Sequence, residues 1–169
     1  MDIRFDVTED GVAESAELSP ESGGYRIKYK VRNILRDHDT FCLVHSGKEG
    51  YYTLPGGSMD ADEDPVQAVL RETLEETGAV VTGLEKVGET RELRREQGRL
   101  QITYYFESEV ERLGEPSLTE EEIALDTTIV WVSRDECERL LNSQESPLYF
   151  RRFSGLRDRE MFRRYAGSI

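Results

Sequence analysis

The chain is short of the residues on which several protein classes depend. Among 169 residues it has only two cysteines and two histidines. Cys42 and Cys137 are too few and too far apart for a disulfide scaffold or a zinc motif, and both lie in apolar segments, so we expect buried free thiols. His38 and His45 lack the spacing of a metal-binding pair. Any chemistry must therefore come from other residue types.

Long apolar runs are missing as well. No stretch approaches the ~20 apolar residues of a transmembrane helix, and the acidic first ten residues lack the apolar core of a signal peptide. We therefore expect a cytoplasmic protein without a membrane partner.

Basic residues are outnumbered by acidic ones. The 22 Lys and Arg stand against 35 Asp and Glu, which gives a formal net charge of −13. This charge repels a nucleic-acid polymer, whereas a local basic patch can still bind a small anion. A nucleic-acid partner is therefore not expected.

Hydrophobic patterning predicts strands and helices in an irregular order. Residues 1–24 are expected to form an N-terminal arm, with a short strand at Ile3–Val7 and then a loop, and residues 25–169 to form the domain. Within the domain we predict a loop at 115–122, strands at 25–32, 40–45, 51–54, 79–87, 100–110 and 128–132, and helices at 65–77, 134–141 and 148–165. Because strands and helices do not alternate regularly, the predicted fold class is α/β, a mixed β-sheet covered by helices.

The helix at residues 65–77 has well-marked ends. Asp64 is a preferred N-cap, Pro65 a favoured first residue and Gly78 a stop signal. One face of the helix carries a stripe that we expect to pack into the core, made of Val66, Val69, Leu70, Thr73 and Leu74.

The opposite face carries Glu72, Glu75 and Glu76 at positions i, i+3 and i+4. Like charges at this spacing destabilise a helix by ~0.2–0.5 kcal/mol per pair, so the cluster has no stability rationale of its own. A divalent cation would reverse the sign of that interaction, and ligation by carboxylate oxygens alone favours Mg²⁺ or Mn²⁺ and hence phosphate chemistry. The alternative is a solvated acidic helix face in an acidic chain.

The segment at residues 57–79, GSMDADEDPVQAVLRETLEETGA, resembles the Nudix box of the MutT-like hydrolases. All seven residues that the box specifies are present: Gly57, Glu63, Arg71, Glu72, Glu75, Glu76 and Gly78. The LPGG sequence at Leu54–Gly57 and a later strand ending in Trp131 and Val132 also resemble the family. Thr73 and Ala79 are small departures at packing positions.

The resemblance implies a Nudix-type α/β/α sandwich with a mixed β-sheet and a metal-dependent hydrolysis of a phosphoanhydride bond. It implies that Glu72, Glu75 and Glu76 hold the metal ions or activate water, and that the carbonyl of Gly56 adds a ligand. Arg71 is expected to orient Glu75 through an ion pair, with an ordinary surface pair as the alternative. The implied catalytic residues are thus Glu72, Glu75 and Arg71.

Many members of the family take another acidic ligand or base from a later loop. The acidic residues ahead of Trp131 in this chain are Glu115, Glu120, Glu121, Glu122 and Asp126. We choose Glu121 or Glu122 as the distal acid. A solvated loop charge is the alternative for each.

Substrate phosphates are expected on the strand at residues 25–32. One of its faces is predicted to be half-buried and carries Tyr25, Ile27, Tyr29 and Val31. The other face carries Arg26, Lys28, Lys30 and Arg32. We choose Arg26 and Arg32 as phosphate contacts, with a solvated edge strand as the alternative.

Aromatic side chains near the expected cleft are candidates for stacking on a base. They are Tyr51, Tyr52, Tyr104 and Tyr105. Tyr52 and Tyr104 are chosen, although aromatic strand residues more often belong to the core. The Arg-rich segment from Arg151 is expected to be a salt-bridged surface rather than a phosphate-binding or subunit-contact helix.

The resemblance leaves the substrate open. No proline lies between Pro65 and Pro116, where family members that prefer ADP-ribose commonly have one. A small nucleotide-type substrate is expected, a nucleoside diphosphate linked to another moiety, with the (d)NTP type favoured. The alternatives are a nucleotide-binding sensor or regulator without turnover and a structural interaction domain. The family also leaves room for a homodimer.

Overall fold

The strands of this chain join into one mixed sheet in the computed structural model, which describes residues 1–13, 18–19, 23–146 and 148–169. The strands are β1 (Ile3–Thr8), β2 (Gly11–Ala13), β3 (Arg26–Asp37), β4 (Thr40–Ser46), β5 (Tyr51–Thr53), β6 (Gly56–Ser58), β7 (Ala79–Arg94), β8 (Arg99–Leu113) and β9 (Thr127–Ser133). The helices are α1 (Pro65–Thr77), α2 (Glu120–Ala124), α3 (Arg134–Asn142) and α4 (Tyr149–Ala166). The strand order is β2-β1-β7-β8-β3-β4-β5, with β6 paired to β3 and β9 to β4.

The sheet contains both parallel and antiparallel pairs. β3 is parallel to β8 over residues 26–36 and antiparallel to β6 at residues 30–32. β1 is parallel to β7, whereas β7 and β8 form a long antiparallel pair. The predicted mixed sheet is therefore confirmed.

Helices cover both faces of this sheet. Because successive strand residues point to opposite faces, β3 directs Val31 and Ile34 to different sides. Val31 packs with Ala68 and Val69 of α1. Ile34 belongs to a larger cluster on the other side that includes Phe162 of α4 and residues of α3. The α/β/α sandwich is thus confirmed.

Helix α1 begins and ends where the sequence predicts, but its buried face is different. The predicted stripe is wrong for Val66, Leu70 and Leu74, which are 46%, 41% and 48% exposed. The buried residues are Ala68, Val69, Thr73, Glu76 and Thr77. Small and polar side chains let the helix lie close to β3, where the amide of Asn33 donates a hydrogen bond of 3.1 Å to the Thr73 hydroxyl. The buried face of α1 is thus turned relative to the predicted one, and Glu76 lies in the interior.

The first half of β3 also differs from the prediction. Ile27 and Tyr29 are exposed instead of half-buried. Val31 packs against α1, whereas Ile27 and Tyr29 do not belong to that buried cluster. In β8, Ile102 and Phe106 are buried on one face of the strand and Tyr105 on the other.

Two further segments were assigned incorrectly. Gly11–Ala13 is a strand instead of a loop, and Glu120–Ala124 is a short helix that overlaps the predicted loop at 115–122. The strand predicted at 128–132 is present as β9, which is mostly half-buried. The predicted strand at Ile3–Val7 is present and extends to Thr8, and residues 14–17 and 20–22 of the predicted arm lie outside the described residues.

The expectation for the two cysteines is met. Cys42 and Cys137 are buried free thiols, and burial raises the pKa of each. Among the described residues, no helix combines the length and the apolar character that crossing a membrane requires.

Candidate active site

The LPGG segment at Leu54–Gly57 holds the end of α1 in place. The backbone N–H of Gly56 donates a hydrogen bond of 2.7 Å to Oε2 of Glu76. Gly56 has a φ of +145°, and a Cβ at this position would lie 2.1 Å from the carbonyl oxygen of Val31. Only glycine therefore permits this approach of the segment to β3 and to the carboxylate.

Glu76 is the most deeply buried carboxylate of the box. It is 9% exposed, and desolvation raises its pKa to about 8 despite the opposing charge of Arg32. Burial also raises the pKa of Glu72. A Cβ on Gly57 would lie 2.5 Å from the Glu72 carboxylate, so this glycine makes room for that side chain. Two desolvated carboxylates thus face the same loop.

Arg71 links the acidic residues of the box. Its Nε donates to Glu63 at 2.5 Å, and its Nη1 donates to Glu72 at 3.0 Å and to Glu75 at 3.2 Å. Its Nη2 donates to the carbonyl of Ser58 at 3.1 Å. The bond from Arg71 lowers the pKa of Glu63 to about 2. The ion pair expected with Glu75 is therefore one part of a wider network.

The carboxylates have the donor chemistry of a metal site, although they are not gathered into one. Within the described part of the chain, no three acidic, His or Cys side chains are placed so that they could hold an ion together. Arg71 binds Glu72 and Glu75, while Glu76 turns inward to Gly56. The donors are all oxygens, and the desolvation of Glu72 and Glu76 is the kind that a hard divalent cation offsets. The residues present therefore fit such an ion.

The chosen substrate contacts lie in different places. Arg32 pairs with Gly56 and is buried near Glu76, whereas Arg26 pairs with Arg99 at the other end of β3. With about 3.3 Å per strand residue, the two arginines are roughly 20 Å apart. Arg32 alone adjoins the glutamates.

The two chosen tyrosines are also separated. Tyr104 lines a surface cavity together with Met59 and Glu63, next to the box. Tyr52 stacks on His45 with a centroid distance of 4.4 Å, and its N–H donates to Gln144.

The two candidate distal acids belong to α2. Glu122 caps this helix, accepting a hydrogen bond of 2.7 Å from the N–H of Thr119. Its charge contributes to raising the pKa of Glu76, whereas Glu121 is not among the main contributors. Glu122 is therefore the better placed of the two.

A basic pocket on the opposite side of β3 was not found from the sequence. It has a volume of about 360 Å³ and is lined by Lys30, Arg32, Arg94, Gln97, Arg99, Phe150, Arg151, Ser154 and Arg157. The prediction of a salt-bridged surface for the C-terminal arginines is wrong for Arg157, which is 1% exposed. The basic alternation in β3 was the one sequence signal that pointed to this pocket.

Comparisons with known proteins agree with this architecture. A family model described as NUDIX domain matches residues 26–153. The chain is 28% identical to the mutator MutT protein of Bacillus halodurans, with a TM-score of 0.55 over 67% of this chain and 72% of that one. A comparison with curated protein sequences gives no match.

Two further solved structures share the fold at lower identity. A NUDIX hydrolase from Nitrosomonas europaea is 21% identical, with a TM-score of 0.59 over 84% of this chain and 90% of that one. The NUDIX domain of Shewanella oneidensis NrtR, solved in complex with ADP ribose, is 19% identical, with a TM-score of 0.59 over 89% of this chain and 94% of that one.

Proposed function

The chain belongs to the Nudix family of pyrophosphohydrolases, and from that premise we propose that it hydrolyses a phosphoanhydride bond in a nucleoside diphosphate linked to another moiety. A substrate of the (d)NTP type is favoured, with Mg²⁺ or Mn²⁺ as cofactor. The observation that carries the proposal is the buried Glu76, held by Gly56 beside Glu72 in a complete box. Burial opposes the charge of this carboxylate, and the single hydrogen bond from Gly56 does not offset that cost.

The metal ligands in this proposal are Glu72, Glu75, Glu76 and the carbonyl of Gly56. A divalent cation bound there would neutralise phosphate oxygens and polarise the bond to be broken. Arg71 is a positioning residue, because it fixes the direction of the Glu72 and Glu75 carboxylates. Its bond to Glu63 in turn anchors the arginine.

The reaction itself needs little from the protein besides orientation and proton transfer. A water oxygen forms a bond to one phosphorus, the bridging P–O bond breaks, and the leaving phosphate takes the electron pair. The water proton passes to a carboxylate of the cluster, for which Glu72 and Glu75 are the candidates. Arg32, next to this cluster, is placed to bind an oxygen of the substrate phosphates.

A nucleotide sensor without turnover is the second candidate function. Its support is that the NUDIX domain of Shewanella oneidensis NrtR, which shares this fold, was solved with ADP ribose bound. A sensor has no need of the complete set of box glutamates that this chain retains. We therefore rank hydrolysis first.

The deciding experiment measures phosphate and pyrophosphate release from (d)NTPs, nucleoside diphosphate sugars and dinucleoside polyphosphates, with Mg²⁺, Mn²⁺ or EDTA. Glu76→Gln is the test variant, because the amide keeps the shape and can still accept the Gly56 hydrogen bond. Glu85→Gln, an exposed acid of β7, is the matched control for the loss of one negative charge.

Metal-dependent release that is lost in Glu76→Gln and retained in Glu85→Gln is the expected result. Turnover by Glu76→Gln at the wild-type rate would reject the proposed site. Nucleotide-dependent thermal stabilisation without any turnover across the set would favour the sensor.

A further inference from the structure

The basic pocket lies on the α4 side of the sheet, between three elements. Lys30 and Arg32 come from β3, and Arg94 and Arg99 flank the turn from β7 to β8. The remaining cations come from α4. The volume of about 360 Å³ is at the small end of the range of ligand pockets.

Six cationic side chains line this pocket, and acidic partners account for only some of them. Glu92, which is fully buried, accepts from Arg94 at 2.8 Å and from Arg157 at 2.6 Å. Asp158 accepts from Nε of Arg157 at 3.0 Å. Glu49 pairs with Arg151. Three acids therefore stand against six cations, and none of the three is among the lining residues.

Several guanidinium nitrogens of the pocket remain unsatisfied. Within the described residues, buried nitrogens without a hydrogen-bond partner occur on Arg32, Arg94, Arg99, Arg151 and Arg157. Buried polar groups are nearly always hydrogen-bonded in folded proteins, and an unpaired charged one is costly. Five of these arginines line one cavity, so an anionic ligand there would supply partners for them.

The repulsion among these cations is visible at Lys30. The pKa of Lys30 is lowered to about 7, first by burial and then by the charges of Arg32, Arg157 and Arg94, while Glu92 opposes the shift. An anion in the pocket would offset this repulsion. Stability alone therefore does not explain the pocket, in a chain whose net charge is −13.

The pocket adjoins the glutamate cluster. Arg32 lines the pocket and is also the main opposing charge for Glu76. In the sheet, Arg32 pairs with Gly56 and Lys30 pairs with Ser58, on the strand that leads into the box. Arg32 therefore connects the two regions, so a substrate that binds at the glutamates has the basic pocket as its neighbour.

We propose that the basic pocket binds a second, multiply charged phosphorylated group of the substrate, beyond the bond that is cleaved. Arginine forks and a lysine ammonium are the groups that bind phosphate oxygens best, and five of the six cations are arginines. The role of the pocket in turnover rests on the proposed function, whereas its affinity for phosphate groups does not.

The first test is direct binding in EDTA, which keeps metal bridges at the glutamates out of the measurement. Inorganic tripolyphosphate is titrated calorimetrically into the full chain, into Lys30→Gln and into Arg99→Gln, which change two half-buried residues that line the pocket. Arg139→Gln is the control, because it removes one exposed charge from α3. Each pocket variant is expected to weaken binding about tenfold or more, since hydrogen bonds to charged groups contribute that much.

The titration has two results that overturn the proposal. One is a wild-type chain that binds neither tripolyphosphate nor adenosine 3′,5′-bisphosphate, and the other is an Arg139→Gln variant weakened as much as the pocket variants. Circular dichroism verifies folding, and either pocket variant is sufficient if the other does not fold. A further titration with adenosine 3′,5′-bisphosphate distinguishes separately attached phosphates from a linear chain, and tight binding of either probe supports the pocket.

The second test separates the pocket from the proposed function. Michaelis constants are compared for a nucleoside diphosphate linked to a neutral sugar and for a dinucleoside polyphosphate. The pocket variants should raise KM about tenfold for the second substrate and leave the first nearly unchanged. Unchanged KM for both substrates rejects the pocket while the hydrolase stands. If the chain binds tripolyphosphate but hydrolyses neither nucleotide substrate, the hydrolase is rejected and the pocket stands.

Discussion

The glutamate cluster and the basic pocket are two charged regions of opposite sign that meet at Arg32. Each gathers like charges in a desolvated place, and in each a buried titratable group has a pKa near neutrality, Glu76 at about 8 and Lys30 at about 7. They differ in how they are neutralised. In the acidic region Arg71 donates hydrogen bonds to the glutamates, whereas in the basic region the buried Glu92 accepts a hydrogen bond from Arg157. In both proposals, the region is completed by a ligand of opposite charge.

The largest effect should come from removing the buried charge of the acidic region. Mg²⁺ at about a hundredfold excess over its Kd should raise the melting temperature of the wild type by about 5 °C. Glu76→Gln should lose most of this response, because the cation has one carboxylate less to bind. Its kcat should fall at least about a hundredfold. Differential scanning fluorimetry with and without Mg²⁺ measures the first effect, and an equal response in both proteins would contradict the prediction.

The next effect concerns the crosslink of the acidic region. Arg71→Gln releases Glu72 and Glu75 together. We therefore expect kcat/KM to fall about tenfold to a hundredfold, with a smaller change in KM. Glu63→Gln is the comparison, because it weakens the anchor of Arg71 and leaves its bonds to the other two glutamates. Steady-state kinetics of both variants should place Glu63→Gln between Arg71→Gln and the wild type. An Arg71→Gln variant as active as the wild type would remove the positioning role.

A moderate effect is expected for the basic region in the absence of ligand. The folded-state pKa of Lys30, about 7, is below its ordinary value of 10.5, so its burial costs stability fully below pH 7 and less as the pH rises toward 10.5. Lys30→Met should therefore melt a few degrees higher than the wild type at pH 6, and the difference should shrink by pH 9. Lys48→Met, at an exposed turn, is the control. A lower melting temperature for Lys30→Met at pH 6 would contradict the account of a strained basic cluster.

The smallest effect should distinguish the two distal acids. Glu122 acts on Glu76 electrostatically, so Glu122→Gln should change kcat by about a fewfold, and Glu121→Gln should change it less. Because Glu122 also caps α2, the melting temperature of both variants is measured alongside the kinetics. A larger loss in Glu121→Gln would reverse the assignment.

Local signals in the sequence were enough to predict the ends of α1 and to identify the seven residues of the box. Asp64 and Gly78 cap the helix through contacts within a few residues, so its ends were predictable. The direction of its buried face was not, because that depends on Asn33 reaching Thr73 and on Gly56 holding Glu76. Hydrophobicity favoured Leu70 as a core residue, and the polar contacts of the loop decided otherwise.

The basic pocket illustrates why long-range features remain out of reach. Glu92 accepts hydrogen bonds from both Arg94 and Arg157. Arg94 belongs to β7 and Arg157 to α4, which are far apart in the sequence. In the sequence each arginine has acidic neighbours with which it could form an ordinary surface pair. Only the packing of α4 on the sheet shows that these charges share one cavity.

Asp158 of α4 joins the last helix to the start of the active site. Its carboxylate accepts hydrogen bonds from the N–H of Leu54 at 3.2 Å and from the hydroxyl of Tyr105 at 2.7 Å. Two residues after Leu54, the N–H of Gly56 donates to Glu76. A nascent chain that has already produced the whole box therefore still lacks the contact that supports the loop. Catalytic competence is expected to arise late, when synthesis of the C-terminal helix is complete, so that an interrupted translation product carries the signature of the enzyme without its activity.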